Sequence, residues 1–179
     1  MSKIILISGK ARAGKDTTAL LLGKIYEEEG KKIVNLAYGN YIKEYAKKIS
    51  NWDGRDETKP RSLLQRLGTD IIREKIDPNF FVKRLCDDIK VYSYFFDVIT
   101  VSDARFPNEL DTPCEMFEDV IRIKIVRDNF QSNLTDTEKR HITETALDNY
   151  DDFDYIIHND GTISDLREKI LKLVKELNV

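Results

Sequence analysis

Cysteine and long apolar runs are both scarce in this chain. Cys86 and Cys114 are its two cysteines, and they share no metal-binding spacing with each other or with His141 and His158. This argues against a structural zinc site, and we expect two reduced thiols. The apolar stretch at the start, IILIS, is too short for a membrane span or a secretion signal, so we expect a cytoplasmic protein with no membrane partner.

An excess of positive charge is also absent. The chain carries 29 Lys and Arg against 32 Asp and Glu, a net charge of −3. Such a balance gives no broad basic field, so duplex nucleic acid is not expected as a partner. A small anionic ligand needs only local basic groups and stays compatible with this composition. With 179 residues, 41% of them hydrophobic, the sequence predicts one domain over residues 1–179 with a core of its own.

Five short apolar stretches alternate with helical patterns along the chain. They cover residues 4–8, 32–37, 97–102, 119–126 and 153–158. Apolar runs of this length are typical of parallel strands that are buried on both faces, and no hairpin turn signal joins two of them. The pattern therefore predicts an α/β fold, with a parallel sheet covered by helices on both faces.

The intervening segments have apolar side chains at helical spacing. We expect helices over residues 15–29, 40–49, 61–75, 77–94 and 162–177. In a parallel sheet of this kind, ligands lie outside the carboxyl ends of the strands. The polar segments that follow the strands should therefore gather at one edge of the sheet.

A glycine-rich segment, GKARAGKDTT, follows the first strand and opens the first helix. Its Gly-x4-Gly-Lys spacing is that of a phosphate-binding loop, or P-loop. Small residues let successive backbone N–H groups converge on phosphate oxygens, and the helix start adds a positive end. We expect Lys15 to reach the β- and γ-phosphates of a nucleotide. The residues assigned to this loop are Gly9, Lys10, Ala11, Arg12, Ala13, Gly14, Lys15, Asp16 and Thr17.

Asp16 stands where the usual pattern has Ser or Thr, whose hydroxyl normally binds magnesium. Two interpretations stay open. In one, Thr17 or the Asp16 carboxylate takes over the metal contact, directly or through water. In the other, Asp16 only complements the positive end of the helix.

DARFPNE follows the third predicted strand, so its first residues should lie at the ligand edge. Asp103 can hold magnesium there or orient an acceptor, and Arg105 can bind a phosphate with two parallel hydrogen bonds. The alternative is an Asp–Arg pair on the surface that caps a helix.

The predicted helix over residues 61–75 carries arginines around a glycine. Arg61, Arg66 and Arg73 surround Gly68, and each can meet a phosphate. Glycine inside a helix costs about 1 kcal/mol relative to alanine, which suggests close approach of a ligand or another backbone. The alternative is a plain solvated helix face.

Residues 127–150 are polar and lack a long apolar face, which is typical of a lid. Lids exclude water and deliver arginines to a transferred phosphoryl group, so Arg127 and Arg140 are candidates for that role. We expect His141 to be structural rather than catalytic. HNDG, residues 158–161, either contacts a nucleotide base or forms only a turn and a helix cap.

Five motifs occur in order and span nearly the whole chain. They are GKDT at 14–17, LLQRLGTD at 63–70, DAR at 103–105, HITE at 141–144 and NDG at 159–161. In these motifs the chain resembles the deoxynucleoside monophosphate kinases of tailed phages, in the P-loop nucleoside monophosphate kinase group. In that family, Asp after the P-loop lysine is itself part of the pattern.

The resemblance implies ATP-dependent phosphorylation of a deoxynucleoside monophosphate, with magnesium, in the host cytoplasm if the protein comes from a phage. It implies a three-layer P-loop NTPase fold whose five parallel strands are ordered 2-3-1-4-5. Acceptor-binding helices are expected at about 39–95 and a lid at about 127–150. The expected partner is a small molecule, and a homodimer is allowed.

Site roles follow from these motifs and their positions. We assign catalysis to Lys15, Asp103, Arg105, Arg127 and Arg140, and add Asn159 and Gly161 to the ATP-binding residues of the loop. The residues assigned to the acceptor are Arg61, Gln65, Gly68, Thr69, Asp70, Arg73 and Arg105. Magnesium is assigned to Thr17, Asp16 and Asp103.

Two other functions are compatible with the same residues. One is a kinase for another phosphorylated small molecule, such as phosphomevalonate. The other is a regulatory protein that uses the P-loop as a nucleotide switch. The basic residues beside a second pocket favour a kinase, because a switch needs no site for an acceptor phosphate.

Overall fold

Five parallel strands form the centre of the fold, which is known here from a computed structural model that describes residues 2–128 and 140–177. The strands are β1 (Lys3–Ser8), β2 (Ile33–Leu36), β3 (Val98–Ala104), β4 (Val120–Val126) and β5 (Tyr155–His158). Their order across the sheet is β2-β3-β1-β4-β5. This confirms the predicted α/β class and strand order.

Strand β1 lies in the middle of the sheet because its apolar run needs cover on both faces. Ile4, Ile5, Leu6 and Ile7 are all at most 1% exposed. The helices are α1 (Lys15–Glu28), α2 (Tyr38–Ser50), α3 (Arg61–Gln65), α4 (Phe80–Tyr92), α5 (Pro107–Met116), α6 (Ile142–Thr145) and α7 (Ile163–Leu177). Ile5 and Ile7 pack with α1 and α7 in one hydrophobic cluster, while Ile4 and Leu6 pack with α2, α4 and α5 in another. The helices therefore form an outer layer on each face.

A π-helical segment, Arg66–Ile76, continues directly from α3. The sequence predicts one α-helix over residues 61–75, so the winding of this part differs from the prediction. Three consecutive residues, 67–69, are buried together with Ile72. A π-helix has more residues per turn than an α-helix, so it places three consecutive side chains closer to one face.

Gly68 lies in this π segment and packs against α2. A Cβ at Gly68 would lie 2.8 Å from Cδ1 of Ile42. The close neighbour in the protein is thus a side chain rather than a backbone, and the predicted approach of a ligand stays a prediction. A larger residue here would require the end of the Ile42 side chain to move.

One predicted boundary at the ligand edge also differs. Strand β3 runs to Ala104 rather than to residue 102, which places Asp103 inside the strand. Of the predicted lid, residues 129–139 lie outside the described residues, and residues 140–150 contain the short helix α6. The lid and the assignment of one domain to residues 1–179 stay predictions. Among the helices of the described ranges, none is long and apolar enough to cross a membrane.

Candidate active site

The loop between β1 and α1 depends on glycine at two positions. Gly9 has φ 149° and Gly14 has φ 107°, conformations that other residues rarely adopt. A Cβ at Gly9 would overlap the carbonyl oxygen of Ile125, and a Cβ at Gly14 would overlap the side-chain amide of Asn159. The two glycines of the motif therefore let the loop lie directly against the ends of β4 and β5.

Lys15 begins α1 and folds back over this loop. Its Nζ donates hydrogen bonds to the carbonyl oxygens of Gly9 at 2.8 Å and Lys10 at 2.9 Å. Burial of the ammonium group, followed by the positive charge of Arg105, lowers the pKa of Lys15 to about 8, although Glu144 and other carboxylates oppose the shift. Lys15 therefore lies among the charged groups of the site, held by backbone oxygens.

A first pocket of about 400 Å³ opens beside the loop. It brings together two segments that the sequence assigns to ATP, the loop and the turn after β5. Arg127, which the sequence assigns to closure, also lies in its wall. The lining residues are Arg12, Gly14, Lys15, Asp16, Thr17, Arg127, Asn159, Gly161, Ile163 and Leu166.

The turn after β5 both supports the loop and starts α7. Asn159 donates from Nδ2 to the Ala13 carbonyl oxygen at 2.8 Å. Thr162 and Asp165 cap α7 reciprocally: the Thr162 N–H donates to the Asp165 carboxylate at 2.7 Å, and the Asp165 N–H donates to Thr162 Oγ1 at 3.2 Å. The end of this turn therefore forms a helix cap, as one of the two interpretations expects. Asn159 and Gly161 line the first pocket.

A second cleft of about 440 Å³ lies between α2, the π segment, the end of β3 and α6. Six of the seven residues that the sequence assigns to the acceptor line it: Arg61, Gln65, Gly68, Thr69, Arg73 and Arg105. Asp70 is exposed and does not line the cleft. Sequence reasoning missed several other lining residues, among them Tyr38, Lys43, Lys59, Phe81, Phe106 and Glu109.

Asp103 caps the start of α2 from the end of β3. Its two carboxylate oxygens accept hydrogen bonds from the backbone N–H groups of Tyr38 and Gly39, both at 2.8 Å. Burial raises the pKa of the Asp103 carboxyl above its ordinary value, although these N–H groups oppose the shift. The helix that Asp103 caps is α2, far away in sequence, rather than the helix that follows DARFPNE.

Arg73 and Glu109 form a buried ion pair in the wall of the cleft. Nη2 of Arg73 lies 2.6 Å from Oε1 of Glu109, and the two side chains are 14% and 3% exposed. The guanidinium carbon also lies 3.7 Å from the centre of the Phe106 ring. Arg73, which the sequence assigns to the acceptor phosphate, is therefore already engaged by a carboxylate.

Glu109 also fixes the turn after β3. Its Oε2 accepts the backbone N–H groups of Arg105 at 2.7 Å and Phe106 at 3.2 Å. Burial raises the pKa of Glu109 to about 7, against the opposing charge of Arg73. The sequence signal for this role is a Glu in the first turn of α5, where acidic side chains often bond back to preceding N–H groups.

Arg105 reaches from the turn after β3 to the HITE segment. Its guanidinium donates to Oε1 of Glu144 and to the Thr143 carbonyl oxygen at 3.2 Å. Oε2 of Glu144 accepts the backbone N–H of Ala11, a P-loop residue, at 2.8 Å. The HITE segment therefore lies directly on the P-loop, where the two pockets meet.

The residues near Glu144 in sequence or in space, His141, Lys10 and Arg140, do not connect the two pockets. His141 caps α6, because its Nδ1 accepts the backbone N–H of Thr143 at 3.3 Å. Lys10 donates to the Glu144 carbonyl oxygen at 2.8 Å and pairs with Asp148. Arg140 is exposed and lies outside the linings of both pockets. Its predicted role in closure stays a prediction.

The family model for deoxynucleotide monophosphate kinase matches residues 20–170 of this chain. The chain belongs to the deoxynucleotide monophosphate kinase family. It is 33% identical to the deoxynucleotide monophosphate kinase of Enterobacteria phage T4 over 154 residues, which are 86% of this chain and 58% of the phage protein. This confirms the resemblance seen in the motifs.

A second phage relative of this kinase family covers less of the chain. The deoxynucleotide monophosphate kinase of Escherichia phage RB69 is 33% identical over 116 residues, 64% of this chain and 44% of that protein. The chain thus spans about half the length of the curated relatives it matches.

Solved structures show that this family member has a P-loop kinase fold. Mycobacterium tuberculosis APS kinase CysC in complex with AMPPNP and APS matches with a TM-score of 0.56 and 14% identity, over 97% of this chain and 98% of that one. Shikimate kinase from Aquifex aeolicus matches with a TM-score of 0.51 and 15% identity, over 97% and 96%. At such low identity, the likeness concerns the fold alone.

The side-chain oxygen atoms at the start of α1 in this kinase family member are of the kind that binds magnesium. Asp16 and Thr17 both line the first pocket and offer a carboxylate and a hydroxyl, which are hard oxygen ligands. Asp16 also lines the second cleft. Asp103 is a poorer candidate, because each of its oxygens already accepts a backbone N–H.

Proposed function

We propose that this chain transfers the γ-phosphoryl group of ATP to the phosphate of a deoxynucleoside monophosphate and so forms the diphosphate. Membership of the deoxynucleotide monophosphate kinase family supports the reaction class. The observation that carries the proposal is that the two pockets share a wall at Asp16, the first-turn residue of α1. A donor in one pocket and an acceptor in the other would meet at the P-loop.

ATP is proposed to bind in the first pocket. Its phosphates would take the backbone N–H groups of the loop and the N-terminal end of α1. Lys15 would leave the carbonyl oxygens of Gly9 and Lys10 and contact the β- and γ-phosphates. The adenosine would lie towards Asn159, Gly161 and the start of α7.

The acceptor is proposed to bind in the second cleft, whose volume of about 440 Å³ lies within the usual range for small-ligand sites. Lys43, Lys59, Arg61 and Arg105 supply positive charge for its phosphate, and apolar side chains such as Phe81 supply cover for its base. The acceptor phosphate is already anionic, so no strong base is required. Positioning and charge neutralisation would carry most of the catalysis.

Asp16 and Thr17 are the residues proposed to hold magnesium. When bound, the ion supplies charge neutralisation at the phosphates. Arg127 is proposed to act on the ATP side, because it lies in the wall of the first pocket. From its phage relatives, we also propose that the protein acts in the cytoplasm of a phage host.

A coupled assay for ADP release tests the proposal. The purified chain is supplied with ATP and magnesium and with a panel of deoxynucleoside monophosphates, ribonucleoside monophosphates and phosphomevalonate. We expect ADP release that depends on at least one deoxynucleoside monophosphate. Release only with phosphomevalonate would assign a different acceptor, and binding of ATP without release for any acceptor would favour a nucleotide switch.

A further inference from the structure

The Glu144 carboxylate lies between the two proposed phosphate sites and connects them. Its Oε2 accepts the Ala11 N–H at 2.8 Å, and its Oε1 accepts from the Arg105 guanidinium. Ala11 belongs to the P-loop and Arg105 lines the acceptor cleft. The side chain is 10% exposed, so these contacts largely replace water around the carboxylate.

The groups that surround this carboxylate are those that bind phosphate oxygens in other proteins. A backbone N–H of a glycine-rich loop and an arginine guanidinium are both strong donors to phosphate. Lys15 is also close enough for the charge of Glu144 to raise its pKa. Two donors assigned to substrate phosphates therefore bond one protein anion, and a third lies within range of its charge.

We propose that Glu144 occupies the position of the transferred phosphoryl group and that substrate phosphates displace it. The inference rests on the proposed function. If the carboxylate stayed in place, a γ-phosphate on the Ala11 N–H would meet a like charge at contact distance, which is strongly unfavourable in a partly buried site. The donors that lose Glu144 regain an anion from the substrate, and the displaced carboxylate becomes solvated by water.

Displacement of one shared carboxylate couples the two sites. The first substrate to bind breaks the contacts of Glu144 with both Ala11 and Arg105. The second substrate then finds its donor already released and binds more tightly. Such coupling is reciprocal, so ATP should strengthen acceptor binding by the same factor as the acceptor strengthens ATP binding.

Isothermal titration with AMPPNP, a non-hydrolysable ATP analogue, and magnesium tests the displacement. We expect Glu144→Gln to bind AMPPNP about 5- to 30-fold more tightly than the native chain, because a charge-assisted contact no longer has to be broken. Glu144→Asp keeps the charge but draws the carboxylate back by one methylene. It should also bind more tightly, which a general effect of charge would not produce.

Asp148→Asn is the matched control. Asp148 lies on the same segment and loses the same charge, but its carboxylate pairs with Lys10 and contacts neither Ala11 nor Arg105. We expect a change of less than about twofold, because exposed ion pairs contribute little. An equal gain in Asp148→Asn and Glu144→Gln would overturn the inference.

The coupling is measured by titrating an accepted deoxynucleoside monophosphate with and without saturating AMPPNP. The native chain should bind the acceptor several-fold more tightly with AMPPNP, and Glu144→Gln should lose this difference.

Unchanged or weaker AMPPNP binding in both Glu144 variants would overturn the inference while leaving the kinase proposal intact. A purely structural role for Glu144 would lower the melting temperature and weaken binding together. If the native chain neither binds AMPPNP nor releases ADP, the proposed function itself fails.

Discussion

The two pockets at the ligand edge differ in what forms them. The first is centred on one loop, whose shape depends on Gly9 and Gly14 and which supplies half of the lining residues from positions 12–17. The second is formed by side chains from distant elements, joined by ion pairs such as Arg73 with Glu109. A pocket centred on one loop can be predicted from a short motif. For the second pocket, the sequence predicts six of the lining residues but none of the ion pairs that join them.

The difference also concerns readiness for a ligand. In the first pocket, Lys15 is held by carbonyl oxygens that it can leave without exposing a charged partner. In the second, the charged groups already have partners in the protein: Arg105 bonds Glu144, and Asp103 bonds the start of α2. The P-loop therefore has to give up only the Glu144 contact at Ala11 to receive a phosphate, whereas the second pocket has to exchange contacts among several side chains.

The largest expected effect tests the first pocket. Lys15→Met should lower kcat by about 100- to 1000-fold, since a preorganised charge contact to the transferred group contributes about 3–4 kcal/mol. ADP release in the coupled assay measures it. Lys24→Met, an exposed lysine on the same helix, is the control and should keep near-normal turnover. Near-normal turnover in Lys15→Met would remove the P-loop from the catalytic site.

The next effect tests whether ion pairs hold the second pocket together. Glu109→Ala leaves the Arg73 guanidinium and two backbone N–H groups without their partner, which should lower the free energy of unfolding by about 3 kcal/mol. Denaturation in urea measures the change. Glu115→Ala, an exposed position on the same helix, should change stability by less than about 0.5 kcal/mol. Similar losses in both variants would argue against the pair as a structural support.

A smaller effect separates the two pockets by substrate. Arg105→Ala should raise the KM for the acceptor by about 30-fold, because a charge-assisted contact to a phosphate contributes about 2 kcal/mol. The KM for ATP should not rise, because the variant loses one of the contacts that hold Glu144 on the P-loop. Arg66→Ala is the control, because Arg66 is exposed and lies outside the lining of the cleft. A fall in ATP binding with an unchanged acceptor KM would reverse the division of the two sites.

The smallest effect concerns pH. The pKa of Lys15 is lowered to about 8, so the free protein loses this positive charge as the pH rises above that value, whereas a bound anion favours the protonated form. AMPPNP affinity should fall by less than about twofold from pH 7.5 to 8 and, well above pH 8, by up to about tenfold per pH unit. Titrations in buffers of different ionisation enthalpy should show proton uptake at pH 9. Lys15→Met should show neither the fall nor the uptake.

The sequence predicts the fold and the first pocket because their signals are local. The run IILI needs cover on both faces, and Gly9 and Gly14 lie next to the strand and helix that they join. The long-range pairs of the second pocket have no such signal. Glu109 bonds Arg73 across 36 residues and Glu144 bonds Ala11 across 133 residues, and no spacing in the sequence specifies either pair.

The π segment could not be predicted for a related reason. The pattern over residues 61–75 is helical, but the pitch is decided by packing. Three consecutive residues are buried, and Gly68 contacts the Ile42 side chain of a separate helix. A hydrophobic pattern gives the period of an element only when one face is buried, so a segment buried around more of its circumference can wind either way.

The place of each strand in the sheet has a consequence for motion. Strand β1, which leads into the P-loop, is paired on both sides, whereas β5 is a four-residue edge strand in which Ile156 is 57% exposed. Amide hydrogens of β1 should exchange with solvent only when the whole molecule unfolds, while those of β5 should exchange through local opening. The phosphates of a bound nucleotide would then contact the slowest-exchanging part of the molecule, and its base would contact one of the fastest.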